Sequence, residues 1–331
     1  MGSVTQKDIA ARAGVSVSLV SRALAGRAEA IGISPATVAK VRQAARELGY
    51  TPNASARMLK GAASRTVGVV VYDFEDPFFG PVIRELQRCS HARHYSLVLG
   101  GFEQRQVWDL DVTALLKHQI DGLIIIGSGH DVEWTAPFAA KGVRLVRIGH
   151  GPARPGLQSF EADDVNGLTA LAAGLQAKGY HRLGFVGADQ PMHRMRYAHF
   201  RRAWRAMGGD SRGSLQPYFS TARLWEAGRD AGQHLASTPP SRPDAIVAAS
   251  DVVALGVLRA LAERGLAVPA DCAVTGYDDI PAAALTVPAL TTVRQPVIAL
   301  ARAAFDWIIA PTGPRPGRTV LAPAPVWRES A

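Results

Sequence analysis

Cysteine is nearly missing: Cys89 and Cys272 are the only two in 331 residues. Two cysteines cannot build a disulfide framework, which excludes the small stapled secreted scaffolds and agrees with a reducing compartment. Long apolar runs are missing too. The purely aliphatic stretches, such as Leu123–Ile126, fall far short of the roughly 18 consecutive apolar residues of a spanning helix. The first residues, Met-Gly-Ser-Val-Thr-Gln-Lys-Asp, carry an acid at Asp8 and no hydrophobic run, so no secretory leader is read there and a cytoplasmic location is expected. Glycine shows no period and there is no long polar tract, which excludes fibre and disorder. Apolar residues at 47% and charged residues at 20% are those of a globular chain, long enough for two or three domains.

Charge is present in excess and unevenly placed. Residues 1–65 hold ten Lys/Arg against three acids, whereas the remaining 266 residues hold 27 against 25. A basic head on a nearly neutral body suggests that the head meets a polyanion, with a solvated charged face as the alternative.

The head reads as three short helices. Residues 5–13 open with a Thr-x-x-Asp capping pattern and place Ile9, Ala10 and Ala13 on one face. Gly14 ends the helix, Val15 plugs inward and Ser16 caps the next one. Residues 17–24 turn Val20 and Leu24 to the core and leave Val17, Ser18, Ser21 and Arg22 outward. This is the helix-turn-helix pattern, in which the second helix enters the major groove. A third helix is predicted over Ser34–Leu48, with Pro35 at its first position and Val38, Val41, Ala45 and Leu48 as its packing stripe. Residues 52–59 form a further helix candidate of about two turns, too short to persist alone in water.

From Thr66 the pattern changes to short aliphatic runs, each followed by a helical stretch: Val67–Tyr72, Ser96–Leu99, Leu123–Ile126, Val143–Ile148, Leu183–Val186, Ala245–Ala248 and Ala273–Thr275. Such alternation predicts an α/β body of doubly wound parallel sheets covered on both faces, and its length suits two lobes better than one. Ligands of such sheets sit beyond the carboxyl ends of the strands, here Asp73, Gly100-Gly101, Gly127-Ser128, Gly149-His150, Gly187-Ala188, Ser250-Asp251 and Gly276-Tyr-Asp-Asp279. Their Gly, Asp, Ser and His content suits a polar ligand.

Catalytic and cofactor patterns are incomplete. Gly127-Ser-Gly129 follows a strand but has Val132 at the third glycine position of a dinucleotide fingerprint, and no phosphate-loop or Gly-x-Ser-x-Gly motif is present. Cys89-Ser-His91-Ala-Arg-His94 has no second cluster to complete a metal site. The adjacent acids Asp163-Asp164 and Asp278-Asp279 would point opposite ways on an extended segment. No cofactor, metal or enzyme activity is therefore expected. A ligand-gated DNA-binding regulator, a sugar-binding module without DNA function and a hydrolase on the same scaffold are the three classes to separate.

The run Val-Thr-x-x-Asp-Ile-Ala-x-x-Ala-Gly-Val-Ser-x-x-x-Val-Ser-Arg-x-Leu at Val4 to Leu24 resembles the DNA-binding head of the lactose-repressor/galactose-repressor family of bacterial transcription regulators, as do Leu48-Gly-Tyr-Thr-Pro-Asn53 and Ala56-Arg57-Met-Leu59. The resemblance extends through Asp73–Phe79, Asp163–Gly167, Gly179–Gly184, Ser250–Gly256, Val268–Asp271, Gly276–Asp279 and Pro288–Pro296. It implies a helix-turn-helix domain over 1–48, a hinge helix and linker over 49–65, and a periplasmic-binding-protein-like core over 66–331. One lobe would cover about 66–162 and 293–322, the other about 163–292 and 323–331, with crossings near 160–164, 290–294 and 320–324. It implies a homodimeric repressor on a pseudo-palindromic operator, gated by a small polar effector. A sugar or sugar derivative is the family-level expectation; a nucleobase and pairing of dimers into tetramers stay open.

By the same resemblance Val17, Ser18 and Arg22 read base edges, Thr5, Ser16, Ser21 and Asn53 position phosphates, and Leu59 wedges between base steps of a kinked duplex. Phe78, Phe79, Arg196, Asp251, Asp278 and Gln295 match effector contacts. The chain departs from the pattern at the loop Ala25–Ile33, which is longer, at Gly149, where many members have an aspartate, and at His199, usually glycine. Phe219 and Trp225 are both candidates for the aromatic that stacks on the ligand.

Overall fold

A computed structural model describes residues 4–24, 32–50, 64–103, 106–107, 109–128, 132–209, 214–236, 242–310 and 317–331. The chain divides into two compact units, Met1–Ser64 and Arg65–Ala331. The predicted hinge helix, with Asn53 and Leu59, lies outside the described residues.

The first unit holds α1 (Gln6–Ala13), α2 (Val17–Leu24) and α3 (Pro35–Glu47). Thr5 caps α1, and the Asp8 carboxylate accepts both its backbone N–H and its hydroxyl at 2.7 Å. The hydroxyl first, then the amide, hold that carboxyl below its ordinary range. Gly14 takes the left-handed conformation (φ 64°), which lets its N–H reach back to the α1 carbonyls and frees the chain to reverse into α2. Ser16 caps α2 through Leu19 N–H and Ser34 caps α3 through Thr37 N–H, each at 3.2 Å. Ile9, Val20, Ala23 and Val41 meet in a core with no exposure at all, supported by Ala13, Ala44 and Ala45. Arg12 of α1 also pairs with Glu47 of α3 at 2.9 Å.

The second unit is built on two sheets. The larger has seven strands in the order β12-β6-β5-β4-β1-β2-β3: β1 (Thr66–Val71), β2 (Ser96–Glu103), β3 (Gln106–Val107), β4 (Gly122–Ile126), β5 (Arg144–Ile148), β6 (Leu157–Ala162) and β12 (Arg318–Leu321). All pair in parallel except β3, which folds back on β2. The smaller is parallel, in the order β10-β9-β7-β8: β7 (Leu183–Ala188), β8 (Leu215–Ser220), β9 (Ala245–Ala248) and β10 (Ala273–Thr275). An antiparallel ribbon of β11 (Thr292–Arg294) and β13 (Ala324–Val326) completes the strands.

Each predicted strand falls on an observed one, because uninterrupted Val/Ile/Leu/Ala runs are what a sheet buried on both faces requires. On the larger sheet, α4 (Phe79–Ala92) and α11 (Val297–Ile309) cover one face through Val82, Leu86, Leu300 and Phe305. The opposite face is closed by α5 (Asp109–Lys117) and α6 (Ala136–Ala140) through Leu115 and Phe138. On the smaller sheet, α7 (Asp164–Ala177) and α8 (Pro191–Ala206) pack on one side, and α9 (Leu224–Ala236) and α10 (Asp251–Glu263) on the other. The α9–α10 contact is unusually close. A Cβ on Gly228 would lie 1.8 Å from the carbonyl oxygen of Val253, and one on Gly256 1.9 Å from that of Trp225, so only glycine fits either position.

Candidate functional site

The head presents one outward face. In α2 the inner side chains Val20 and Ala23 are fully buried, whereas Val17 is 41% exposed and Ser18 and Arg22 are exposed. Ser21 is half-buried, and Thr5 and Ser16 are exposed at the starts of α1 and α2. An apolar methyl pair, two hydroxyls and a guanidinium therefore share one helix surface. Those groups match what base edges offer: a thymine methyl, mixed donors and acceptors, and the paired acceptors of guanine.

In the second unit the carboxyl ends of the strands converge on a cleft of about 750 Å³. One wall comes from the loop after β1 (Tyr72–Asp76, then Phe78 and Phe79), from Gly127-Ser128 and from Gly149-His150. The facing wall comes from Ala188–His193, Arg196 and Thr221–Leu224, with Asp278 and Gln295 between the two. Five of the six residues expected to meet an effector thus line one cavity: Phe78, Phe79, Arg196, Asp278 and Gln295. The two phenyl rings meet edge to face at 5.3 Å.

The floor is an ionic network centred on Arg196, which is buried (6% exposed). Its Nε donates to Asp164 Oδ2 at 3.1 Å and its Nη1 to the carbonyl of Ala249 at 2.7 Å, while Nη2 lies 3.3 Å from Asp278 Oδ1. The guanidinium also lies over the Tyr277 ring, 3.9 Å from its centroid. Burial works against this charge, but Asp278 and Asp164 hold the guanidinium above its ordinary range. Asp164 accepts in addition from the Tyr277 hydroxyl at 2.6 Å; burial opposes its charge, and Arg196 and His150 outweigh it and keep the carboxyl low. Asp278 has the weaker share of the cation. Complete burial pushes its carboxyl above the usual range despite Arg196, and Gln295 Nε2 donates to it at 2.7 Å.

Two histidines belong to the same site. His150 Nδ1 lies 3.0 Å from Glu161 and Nε2 3.6 Å from Asp164. Burial disfavours its charge, but these two carboxylates win and hold the imidazole up at about 9. His193 is the converse. Its Nδ1 accepts from Ala188 N–H at 2.9 Å, and burial together with Arg196 depresses it to about 3, so it is neutral.

Asp251 is the exception among the expected contacts, and a correction. It is fully buried and does not line the cleft. Its Oδ1 accepts from the Thr292 hydroxyl at 2.5 Å and its Oδ2 from Ile280 N–H at 2.8 Å, so it ties α10 to β11 and to the loop after β10. Burial raises its carboxyl to about 6. Neither aromatic candidate reaches the cleft. Phe219 packs on Phe185 and Tyr197, Trp225 is 46% exposed, and the segment between them presents Thr221, Ala222, Arg223 and Leu224 instead.

His150, Asp164, His193, Asp76 and Arg223 are not among the effector contacts expected from the sequence, although His150, Asp164 and Asp76 lie in segments singled out there. At the Gly149-His150 strand end, where many family members have an aspartate, it is His150 that supplies the ionisable group. The reason no aspartate stands there is steric: Gly149 has φ 134°, and a Cβ there would lie 2.4 Å from the carbonyl oxygen of Gly127. Asp163 and Asp164 do point apart. Asp163 caps α7 through Asn166 N–H, while Asp164 turns inward to Arg196.

A helix-turn-helix unit joined in one chain to a two-sheet body with a polar cleft defines the class of bacterial regulatory proteins. Residues 5–53 match the family described as bacterial regulatory proteins, lacI family, and residues 172–331 match the periplasmic binding protein-like domain. The chain is 32% identical over 312 residues to the ribose operon repressor of Escherichia coli K12, covering 92% of each chain. It is also 32% identical over 307 residues to the repressor CytR of the same strain, covering 91% of this chain and 87% of the relative. Among solved structures, a lac repressor dimer bound to operator and the anti-inducer ONPF matches with TM-score 0.83 and 25% identity over 99% of both chains. A CelR-cellobiose complex matches with TM-score 0.69 and 27% identity over 99% of this chain and 100% of the other. The chain belongs to the lacI family of bacterial regulatory proteins and is not an enzyme.

Proposed function

We propose that the protein is a homodimeric, sequence-specific repressor of transcription in the cytoplasm, whose operator affinity is set by a small polar effector in the cleft. The outer face of α2 carries the reading: Val17, Ser18 and Arg22 stand out from a helix whose other side is packed to zero exposure. Thr5, Ser16, Ser21 and Asn53 position phosphates, while the three outer residues read bases. Two heads related by a two-fold axis would occupy successive major grooves of a pseudo-palindromic operator. Residues 49–65 are the hinge, and Leu59 is the wedge between central base steps.

The effector we assign to the cleft is a sugar or sugar derivative, in keeping with the ribose operon repressor and the cellobiose complex among its relatives. Phe78 and Phe79 give an apolar wall for a ring face, and Arg196, Asp278 and Gln295 give polar groups for hydroxyls. A coupling of about 1–3 kcal/mol between cleft and head changes operator affinity roughly 5- to 150-fold.

The split of roles in the head is tested by two variants. Arg22→Ala should relax base preference at one position per half-site, whereas Lys7→Ala should weaken all sequences evenly and flatten the dependence on salt. The same loss from both, on specific and random duplexes alike, would contradict the assignment.

A further inference from the structure

The mouth of the cleft carries an ionic contact that the effector reading does not use. Arg223 lies in the loop between β8 and α9, on the small-sheet side, and reaches across to the loop after β1 on the large-sheet side. Its Nη2 donates to Asp73 Oδ2 at 2.5 Å, and its Nη1 lies 3.8 Å from Glu75 Oε2. All three residues line the cleft.

Both ends of the contact are built. On the large-sheet side Asp73 Oδ1 accepts from Glu75 N–H at 2.9 Å, which leaves Oδ2 to face the arginine. Phe74 lies over Gly101, where a Cβ would come within 2.6 Å of its ring, and so anchors the same loop on β2. On the small-sheet side Ser220 Oγ donates to Asp230 at 2.7 Å and accepts from Ala222 N–H at 3.1 Å. Leu224, directly after the arginine, takes the left-handed conformation at φ 48°, unusual for a residue with a Cβ. The loop is therefore held in a shape that aims Arg223 across the opening.

We propose that Arg223 is the gate of the cleft, a latch that ties the two walls at the mouth through Asp73 and Glu75 and must release before an effector is exchanged. A second ion contact, His150 Nε2 to Asp164 Oδ1 at 3.6 Å, links His150 of one wall to α7 of the small-sheet side. Unlike that contact, the latch is open to solvent. The Arg223 side chain is 68% exposed and Asp73 14%, so the attraction is modest and screened by salt. The site is also the place where an aromatic was expected to stack on ligand; here an arginine bound to two acids fills that wall. The proposal rests on the effector reading for its purpose, but closure itself can be read without any effector.

The test is hydrogen exchange on the full chain, followed at residues 72–76 and 221–224. Arg223→Gln should speed exchange at both segments by about 2- to 5-fold, the scale of one exposed ion pair. Arg223→Glu, which sets a third acid against Asp73 and Glu75, should speed it further. Raising sodium chloride from 0.05 M to 0.5 M should move the wild-type protein toward the Arg223→Gln rate and leave that variant unchanged. The latch is overturned if residues 72–76 exchange at the wild-type rate in Arg223→Glu, or if the wild-type segments do not respond to salt. The salt arm needs no substitution, so a variant that fails to fold does not leave the question open. Were closure found but no sugar able to slow exchange, the latch would stand and the effector assignment would fall.

Discussion

Replacing Arg196 by methionine removes the one buried cation that Asp164 and Asp278 share. The substitution roughly keeps the volume and leaves two buried acids without the guanidinium they share. Asp164 retains His150 and the Tyr277 hydroxyl, so its loss is partial. Among the described residues Asp278 retains the Gln295 amide as its side-chain partner and is buried, so it carries most of the penalty. Breaking a buried pair from one side costs about 3–5 kcal/mol. For a unit of this size, at about 2–4 °C per kcal/mol, the melting temperature should fall by roughly 10 °C. All six tryptophans lie beyond residue 100, so their fluorescence follows the second unit alone. The sign of the pH dependence is a second check. Without the cation the Asp278 carboxyl sits further above its unfolded value, folding takes up a proton, and stability falls as pH rises. The deficit of Arg196→Met should therefore be largest at pH 8 and shrink toward pH 5. A variant within about 1 kcal/mol of the wild-type protein at pH 8, or a deficit equal at both pH values, would refute the account of the floor.

Other expectations follow from the same geometry. His150, held at about 9, contributes stability in full below its unfolded value of 6.5, and loses it as pH rises toward 9. The slope is up to about 1.4 kcal/mol per unit, and urea midpoints for His150→Gln should be flatter over that range. His193, depressed to about 3, acts oppositely: its contribution is complete above 6.5 and is lost as pH falls, so His193→Gln should flatten the acid limb of the same curve. Gly228→Ala drives a methyl into the α10 backbone at Val253 and should cost about 1–3 kcal/mol. Circular dichroism melts would check it against Gly80→Ala, an ordinary helical position where no atom of another element lies within 4 Å of the added methyl.

What could be read from the residues alone divides along physical lines. β1, β4, β7 and β9 were legible because a strand buried on both faces must be a continuous aliphatic run. β6 was not, because Leu-Gln-Ser-Phe-Glu-Ala hides its strand character behind Gln158, Ser159 and Glu161. Those polar side chains are buried only because Thr319, Arg147, His150 and Arg318 satisfy them from other elements. Arg196, Asp278 and Gln295 were expected from the family resemblance alone, and all three line the cleft. His150 and Asp164 acquire their roles from partners far apart in sequence, which no spacing displays. Asp251 misled because a carboxylate at a strand end suits a ligand and an internal brace equally well, and only the positions of Thr292 and Ile280 decide between them.

The proposed reading of a two-fold DNA site rests on the outer face of α2. Its most direct test is selection from randomised duplex DNA at near-physiological salt, where non-specific binding is weak, with the full chain and with Arg22→Ala in parallel. The wild-type protein should recover a symmetric motif with half-sites about one helical turn apart. The variant should recover the same motif degenerate at one position in each half. Enrichment of no symmetric motif by the wild-type protein, with and without pooled sugars and purines, would contradict that reading.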